Sequence, residues 1–172
     1  MQSTDLKATE FNEYYARYIN MVPPTISLVD AYIEGGQETL DFFTNLPERK
    51  LDFRYASDKW NCKEIFQHLI DTERIFMYRC LRIARNDKTP LAGFDQNTYI
   101  DPSGASQKSI DALVKEYDAN RNNSIQLLKS LSDMHLSNMG NASGSELSAR
   151  AAAFIIPGHD LWHIGIIKER YL

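Results

Sequence analysis

Four segments in which apolar side chains recur every three or four residues constrain this fold more than any other feature. That spacing places the apolar side chains on one face of a helix. The segments span residues 25–45, 59–86, 106–132 and 146–171. No segment alternates apolar and polar residues as a strand does, and neither an internal repeat nor a domain linker is visible. We therefore expect an all-α fold, a four-helix bundle formed by a single domain over residues 1–172.

The helix boundaries are marked by turn and capping residues. Residues 1–23 form a polar lead-in whose aromatic side chains are spaced as on a short helix that packs one face on the body: Phe11, Tyr14, Tyr15 and Tyr18. Pro23-Pro24-Thr25 is a helix start signal. Ser57 and Asp58 are the candidate caps of the second helix. Pro157 lies inside the last helix, and we expect a kink there because the apolar pattern continues in phase on both sides.

Two connections are long and irregular in sequence. Residues 87–105 contain Phe94, Asp95, Tyr99 and Asp101, which could line the mouth of a pocket, although the two aromatic rings could equally pin the loop to the core. Residues 133–147 form a second, glycine-containing loop. The sequence does not decide the role of the first loop.

Charge, hydropathy and cysteine spacing argue against a nucleic-acid-binding protein, a membrane-spanning protein and a disulfide-stabilised protein. The net charge is −4, which offers no basic surface for nucleic acid. No apolar run approaches the roughly 18 residues of a membrane span. Cys62 and Cys80 fall within one predicted helix, about 27 Å apart along its axis, which is too far for a disulfide. With no signal peptide visible, we expect a cytoplasmic protein with reduced thiols.

Three of the four histidines lie on inward helix faces. His159 and His163 are four residues apart, so they share one face of the last helix, and His68 lies on the apolar stripe of the second helix. His135 is expected to face solvent. Buried imidazoles need hydrogen-bond partners. Either each ring bonds a backbone group, or the three rings share one metal ion.

A site with three imidazoles would suit zinc, nickel, iron(II) or copper, and the spacing does not choose among them. Of these divalent metals, we expect zinc or nickel first and iron as a further candidate. Three protein ligands leave coordination positions open for water or substrate. Glu64 and Asp160 lie near the histidines in sequence, and each could accept a hydrogen bond that orients an imidazole. A helix-dipole role for Glu64 and a solvent-facing position for Asp160 are the alternatives.

Several motifs together resemble the DinB/YfiT-like superfamily. They are Trp60, Glu64, His68-Leu69, Asp71, Glu73 and Arg79, then Gly93-Phe94-Asp95, and the run from Gly158-His159-Asp160-Leu161-Trp162-His163 to Leu172. The resemblance implies a four-helix bundle, a homodimer, and one divalent metal held by residues at the positions of His68, His159 and His163. The superfamily it points to also includes enzymes that use low-molecular-weight thiols.

The resulting functional hypothesis is a metal-dependent S-transferase that joins a low-molecular-weight thiol to a small electrophile. A metal-dependent hydrolase is the nearest enzymatic alternative, and a non-catalytic metal or small-molecule binding module remains open. The sequence does not settle whether the protein is an enzyme, and it identifies no catalytic residue beyond the metal ligands. A His-Glu-x-x-His protease is disfavoured because Asp160 follows His159.

Overall fold

A computed structural model describes all 172 residues as a helical bundle with one small hairpin. The helices are α1 Ala16–Ile19, α2 Leu28–Thr44, α3 Glu48–Leu51, α4 Cys62–Ala84, α5 Asn97–Ser103, α6 Ile110–Lys129, α7 Asp133–Leu136 and α8 Ala149–Arg170. Strands β1 Met139–Ala142 and β2 Ser145–Ser148 pair antiparallel. The long helices α2, α4, α6 and α8 confirm the four predicted segments. None of the helices combines the length and apolarity that crossing a membrane requires.

The four long helices do not pack in the order of the chain. Helix α2 packs on α6 and α8, and α4 packs on the same two helices. The first and second long helices, α2 and α4, therefore lie across one diagonal of the bundle, and α6 and α8 lie across the other. The most extensive contact joins α4 to α8, which brings the helix of His68 against the helix of His159 and His163.

Each long helix begins at a polar capping side chain. Ser27 Oγ accepts from the Asp30 amide at 3.2 Å, and Asn61 Oδ1 accepts from the Glu64 amide at 2.9 Å. These contacts satisfy amides that have no partner within the helix. The prediction that Ser57 or Asp58 caps the second helix is wrong, because Asn61 is the residue whose side chain reaches the first turn.

Helix α8 runs through Pro157 without interruption. A proline has no amide hydrogen, so the Ala153 carbonyl one turn earlier loses its helical donor. The Tyr32 hydroxyl of α2 donates to this carbonyl at 2.9 Å, which replaces the missing bond. The continuation of the helix is confirmed, and the kink at Pro157 stays a prediction.

The two predicted loops contain regular structure. Helix α5 occupies part of residues 87–105, and residues 133–147 contain α7 and most of the hairpin. Ser143 and Gly144 form its two-residue turn with φ of 54° and 78°, the left-handed pair that suits a right-twisted hairpin. Strands of four residues are too short to show an alternating pattern, which is why this hairpin was not predicted.

A buried polar layer divides the core into two apolar clusters, one towards each end of the bundle. In this layer the guanidinium of Arg121 contacts Glu73 at 2.9 Å and Asp160 at 2.6 Å. His68 and His159 are buried at the same level of α4 and α8. The candidate site is therefore built into the middle of the fold.

Candidate metal centre

The three predicted histidines converge on one point. The Nε2 atom of His159 lies 3.1 Å from Nε2 of His68 and 3.1 Å from Nε2 of His163. The potential ligand atoms of the three residues all lie within 4.8 Å of one another. His135 lies in α7 and does not belong to the cluster.

Burial keeps the three imidazoles neutral. It lowers the pKa of His68 to about 3, with a further contribution from the charge of His163. It lowers the pKa of His163 to about 4 and that of His159 well below its usual value. At neutral pH the rings therefore carry lone pairs, which is the form that ligates metals.

The geometry fits a divalent metal better than it fits mutual hydrogen bonding. A neutral imidazole has one N–H and one lone pair, so three facing Nε2 atoms cannot all satisfy one another. Bonds of about 2.0–2.1 Å to a central zinc at tetrahedral angles put nitrogen ligands about 3.3 Å apart. The observed 3.1 Å separations are close to that value. The donor set is accordingly complete for a three-imidazole site.

One side chain orients a ring of the cluster from outside. Thr72 Oγ1, one turn after His68 on α4, lies 3.3 Å from His68 Nδ1. With the Nε2 lone pair pointing inward, Nδ1 carries the hydrogen and donates it to the threonine oxygen. The Nδ1 atom of His159 is buried and contacts no acceptor.

The two carboxylates predicted to orient the histidines are engaged elsewhere. Glu64 accepts from the Asn61 amide at 2.8 Å and from Ser106 Oγ at 2.7 Å, as part of a helix cap. Asp160 accepts from Tyr117 and Arg121 in the polar layer. Neither is hydrogen-bonded to an imidazole: Asp160 is adjacent to His159 and projects from a different face of α8, and the Glu64 carboxylate is bonded to the N-terminal end of α4. Thr72, rather than these acids, contacts the cluster.

The histidines open onto a cavity of about 310 Å³ with aromatic walls. Trp60 packs against His68 with ring centroids 4.9 Å apart, and Tyr18 packs edge-on against His159 at 5.2 Å. The other lining residues are Tyr14, Tyr15, Arg17, Thr72, Phe76, Arg79, Phe94, Gln96, Ser143, Ile155 and Trp162. The lining thus includes two arginines and no carboxylate.

Part of this wall was not predicted. The tyrosines of residues 1–23 were expected only to pack on the body, and three of them line the cavity. Their spacing indicated a shared face but not the surface that it covers. Within residues 87–105, Phe94 lines the cavity and contacts Tyr99, whereas Asp95 and Asp101 are exposed outside it.

A second, larger groove lies elsewhere on α4. It measures about 590 Å³ and is lined by Gln67, Arg74, Tyr99, Lys108 and Glu116 among others. Its charged groups are already paired, with Glu116 bound by Lys108 and Arg74. The larger groove contains no histidine or cysteine. The smaller cavity beside the histidines is therefore the better candidate for a reactive site.

Comparisons with known proteins agree with this architecture. A family model described as the DinB superfamily matches residues 31–167. Among solved structures, YfiT from Bacillus subtilis superposes with a TM-score of 0.73 over 93% of this chain and 91% of that chain, at 15% sequence identity. YfiT is described as a probable metal-dependent hydrolase with an unusual four-helix bundle topology. At this identity the similarity concerns the fold alone. No curated protein sequence matches the chain significantly.

Proposed function

We propose that this chain, which belongs to the DinB superfamily, is a metal-dependent enzyme that transfers a low-molecular-weight thiol to a small electrophile. His68, His159 and His163 would hold one divalent transition metal, with zinc or nickel favoured. The observation that carries the proposal is the convergence of three neutral imidazoles, two buried and one half-buried, on a cavity large enough for a small molecule.

A divalent metal bound by three neutral imidazoles keeps its full positive charge and, through its open positions, lowers the pKa of a thiol or a water. The protein residues supply orientation and exclusion of water. Thr72 fixes the ring of His68. Trp60 and Tyr18 pack against two of the imidazoles, and these rings offer an apolar surface to an electrophile.

The charges of the cavity favour thiol transfer over hydrolysis. In metal-dependent hydrolases a carboxylate commonly assists the attack of water by taking up its proton, and no carboxylate lines this cavity. A thiolate needs no such base. In the transfer, the sulfur–carbon bond forms, the leaving group departs with the electron pair of its bond, and the thiol proton passes to solvent. Both cysteines are buried in α4 and offer no competing nucleophile.

Metal-dependent hydrolysis is the second candidate. The observation in its favour is the fold similarity to YfiT, which is described as a probable hydrolase of this kind. Hydrolysis and thiol transfer would use the same three histidines and the same cavity. The products distinguish them.

The test is product analysis with metal-loaded protein. Cysteine, glutathione and coenzyme A would each be offered with 1-chloro-2,4-dinitrobenzene, and 4-nitrophenyl acetate would be offered without thiol. We expect metal-dependent thioether formation with at least one thiol, and its loss in His68→Ala. His135→Ala is the matched control, because it removes a histidine outside the cluster.

Metal-dependent ester cleavage without thioether formation would replace this proposal by the hydrolase. Metal binding that stabilises the fold without any turnover would replace it by a binding module.

We also propose the homodimer implied by the family resemblance. Light scattering coupled to size-exclusion chromatography, which returns twice the 19.8 kDa chain mass if the dimer forms, tests it.

A further inference from the structure

Arg79 is a buried cation without a counter-ion. Its side chain is 2% exposed, and it is among the largest fully enclosed side chains of the protein. No carboxylate lies within ion-pair distance of it. Because burying a charge costs free energy unless it is paired, this position calls for an explanation.

The protein contacts of Arg79 are neutral. Nη2 donates to the Ala92 carbonyl at 2.9 Å and to Ser143 Oγ at 2.9 Å. The Phe76 and Phe94 rings lie 4.8 and 5.8 Å from the guanidinium carbon. The one further polar neighbour of the guanidinium is the neutral hydroxyl of Tyr15. Burial lowers the pKa of Arg79, and the nearby Tyr15 hydroxyl partly offsets this effect, yet arginine stays charged.

Arg121 shows how the same fold treats a buried guanidinium that serves structure. It is as deeply buried as Arg79 and is paired with two carboxylates, Glu73 and Asp160. Arg79 has the burial without the pairing. The missing anion is therefore one that the chain itself does not supply.

Arg79 faces the cavity of the histidine cluster. Residues 68, 72, 76 and 79 recur at helical spacing on α4, and all four line the cavity. Arg79 lies about 16 Å along the helix axis from His68. Arg17, which is exposed, adds a second positive charge to the lining, and no acid balances either charge. The cavity thus favours an anion at the end remote from the histidines.

We propose that Arg79 binds a carboxylate group of the substrate, so that the protein acts on small organic acids with an apolar or aromatic body. The carboxylate would bind the N–H donors of Arg79 that the Ala92 carbonyl and Ser143 do not use, with the Ser143 and Tyr15 hydroxyls beside them. The body of the acid would lie against Phe76 and Tyr15 and point its reacting end at the histidines. This last step rests on the proposed function, whereas recognition of the anion does not.

The test uses metal-free protein and the fluorescence of Trp60 and Trp162, which both line the cavity. The probes share one aromatic body and differ in charge: phenylacetate, phenylacetamide, 2-phenylethylamine and phenyl phosphate. We expect phenylacetate to bind at least about tenfold more tightly than the amide, and the amine not to bind. Arg79→Gln should remove this preference and Arg79→Lys should keep part of it.

The matched control is Arg74→Gln, on the same helix but paired with Glu116 and outside the cavity. Equal binding of phenylacetate and phenylacetamide by the wild type would overturn the proposal without any variant. Undiminished phenylacetate binding by a folded Arg79→Gln protein would also overturn it. Tighter binding of phenyl phosphate would reassign the subsite to phosphoryl groups. The assay uses metal-free protein, so its result does not depend on metal binding. If the protein binds phenylacetate but binds no metal, the proposed function is refuted and the carboxylate subsite is retained.

Discussion

Gly158 provides a sharp test of how the lead-in closes the cavity. A Cβ atom built on Gly158 in α8 would lie 1.9 Å from the carbonyl oxygen of Tyr18, against a practical minimum of 3.0 Å. The obstacle is backbone, so no side-chain rotation relieves it. The variant Gly158→Ala therefore requires the segment around α1 to retreat by more than about 1 Å.

The expected magnitude combines two opposing terms. Overpacking costs about 1–3 kcal/mol, and a clash with backbone belongs in the upper part of that range, about 2–3 kcal/mol, while alanine gains about 1 kcal/mol of helix propensity over glycine. Gly165→Ala in the same helix is the matched control, because no atom lies within 4 Å of the added carbon. We expect the control to be stabilised by about 0.5–1 kcal/mol and Gly158→Ala to be destabilised by about 1–2 kcal/mol.

Urea unfolding followed by circular dichroism measures both variants, and their difference cancels the propensity term. A fall of about 2–8 °C in Tm for Gly158→Ala is the thermal equivalent for a chain of this length. Because Tyr18 packs against His159, phenylacetate binding should weaken too. Equal stability of the two alanine variants would show that the lead-in is not held as close to α8 as the structure has it.

Three further predictions follow from buried contacts. Tyr32→Phe should lower the free energy of unfolding by about 1–2 kcal/mol in thermal melts, because the Ala153 carbonyl loses its donor. Burial opposes the ionisation of Glu10, but its contacts with Arg150 hold the pKa below the usual value. The stability from this pair is therefore fully present above the pKa of Glu10 in the unfolded chain, and it is lost as pH falls through the lower pKa of the folded protein. Thermal melts between about pH 5 and pH 3 should show a smaller fall in Tm for Glu10→Gln than for the wild type. Burial raises the pKa values of the two cysteine thiols to about 11 and about 12, so Ellman's reagent should react with them only after unfolding.

The helices and the histidine cluster were predictable because both depend on local periodicity. His159 and His163 share a helix face by spacing alone, and His68 lies on the apolar stripe of α4. Once the helices pack by their apolar faces, these rings are directed inwards. The family resemblance supplied the pairing of the two helices, which periodicity does not contain.

The features that could not be predicted depend on packing between distant segments. Three such features each need contacts far apart in sequence: the diagonal placement of α2 and α4 and of α6 and α8, the covering of the cavity by Tyr18, and the lone guanidinium of Arg79. Glu64 shows the limit of sequence proximity. It lies one turn from His68, yet its carboxylate accepts from the Asn61 amide at the start of the helix.

The most direct test of the central claim is elemental analysis of protein purified without a histidine tag or added metal. We predict close to one zinc or nickel ion per chain in the wild type and in His135→Ala, and loss of that ion in His68→Ala and His163→Ala. Adding the metal back to stripped wild-type protein should raise Tm, since a ligand at 100 times its Kd stabilises the fold by about 2.7 kcal/mol. Wild-type protein that carries no transition metal and melts at the same temperature with and without added metal would contradict the account.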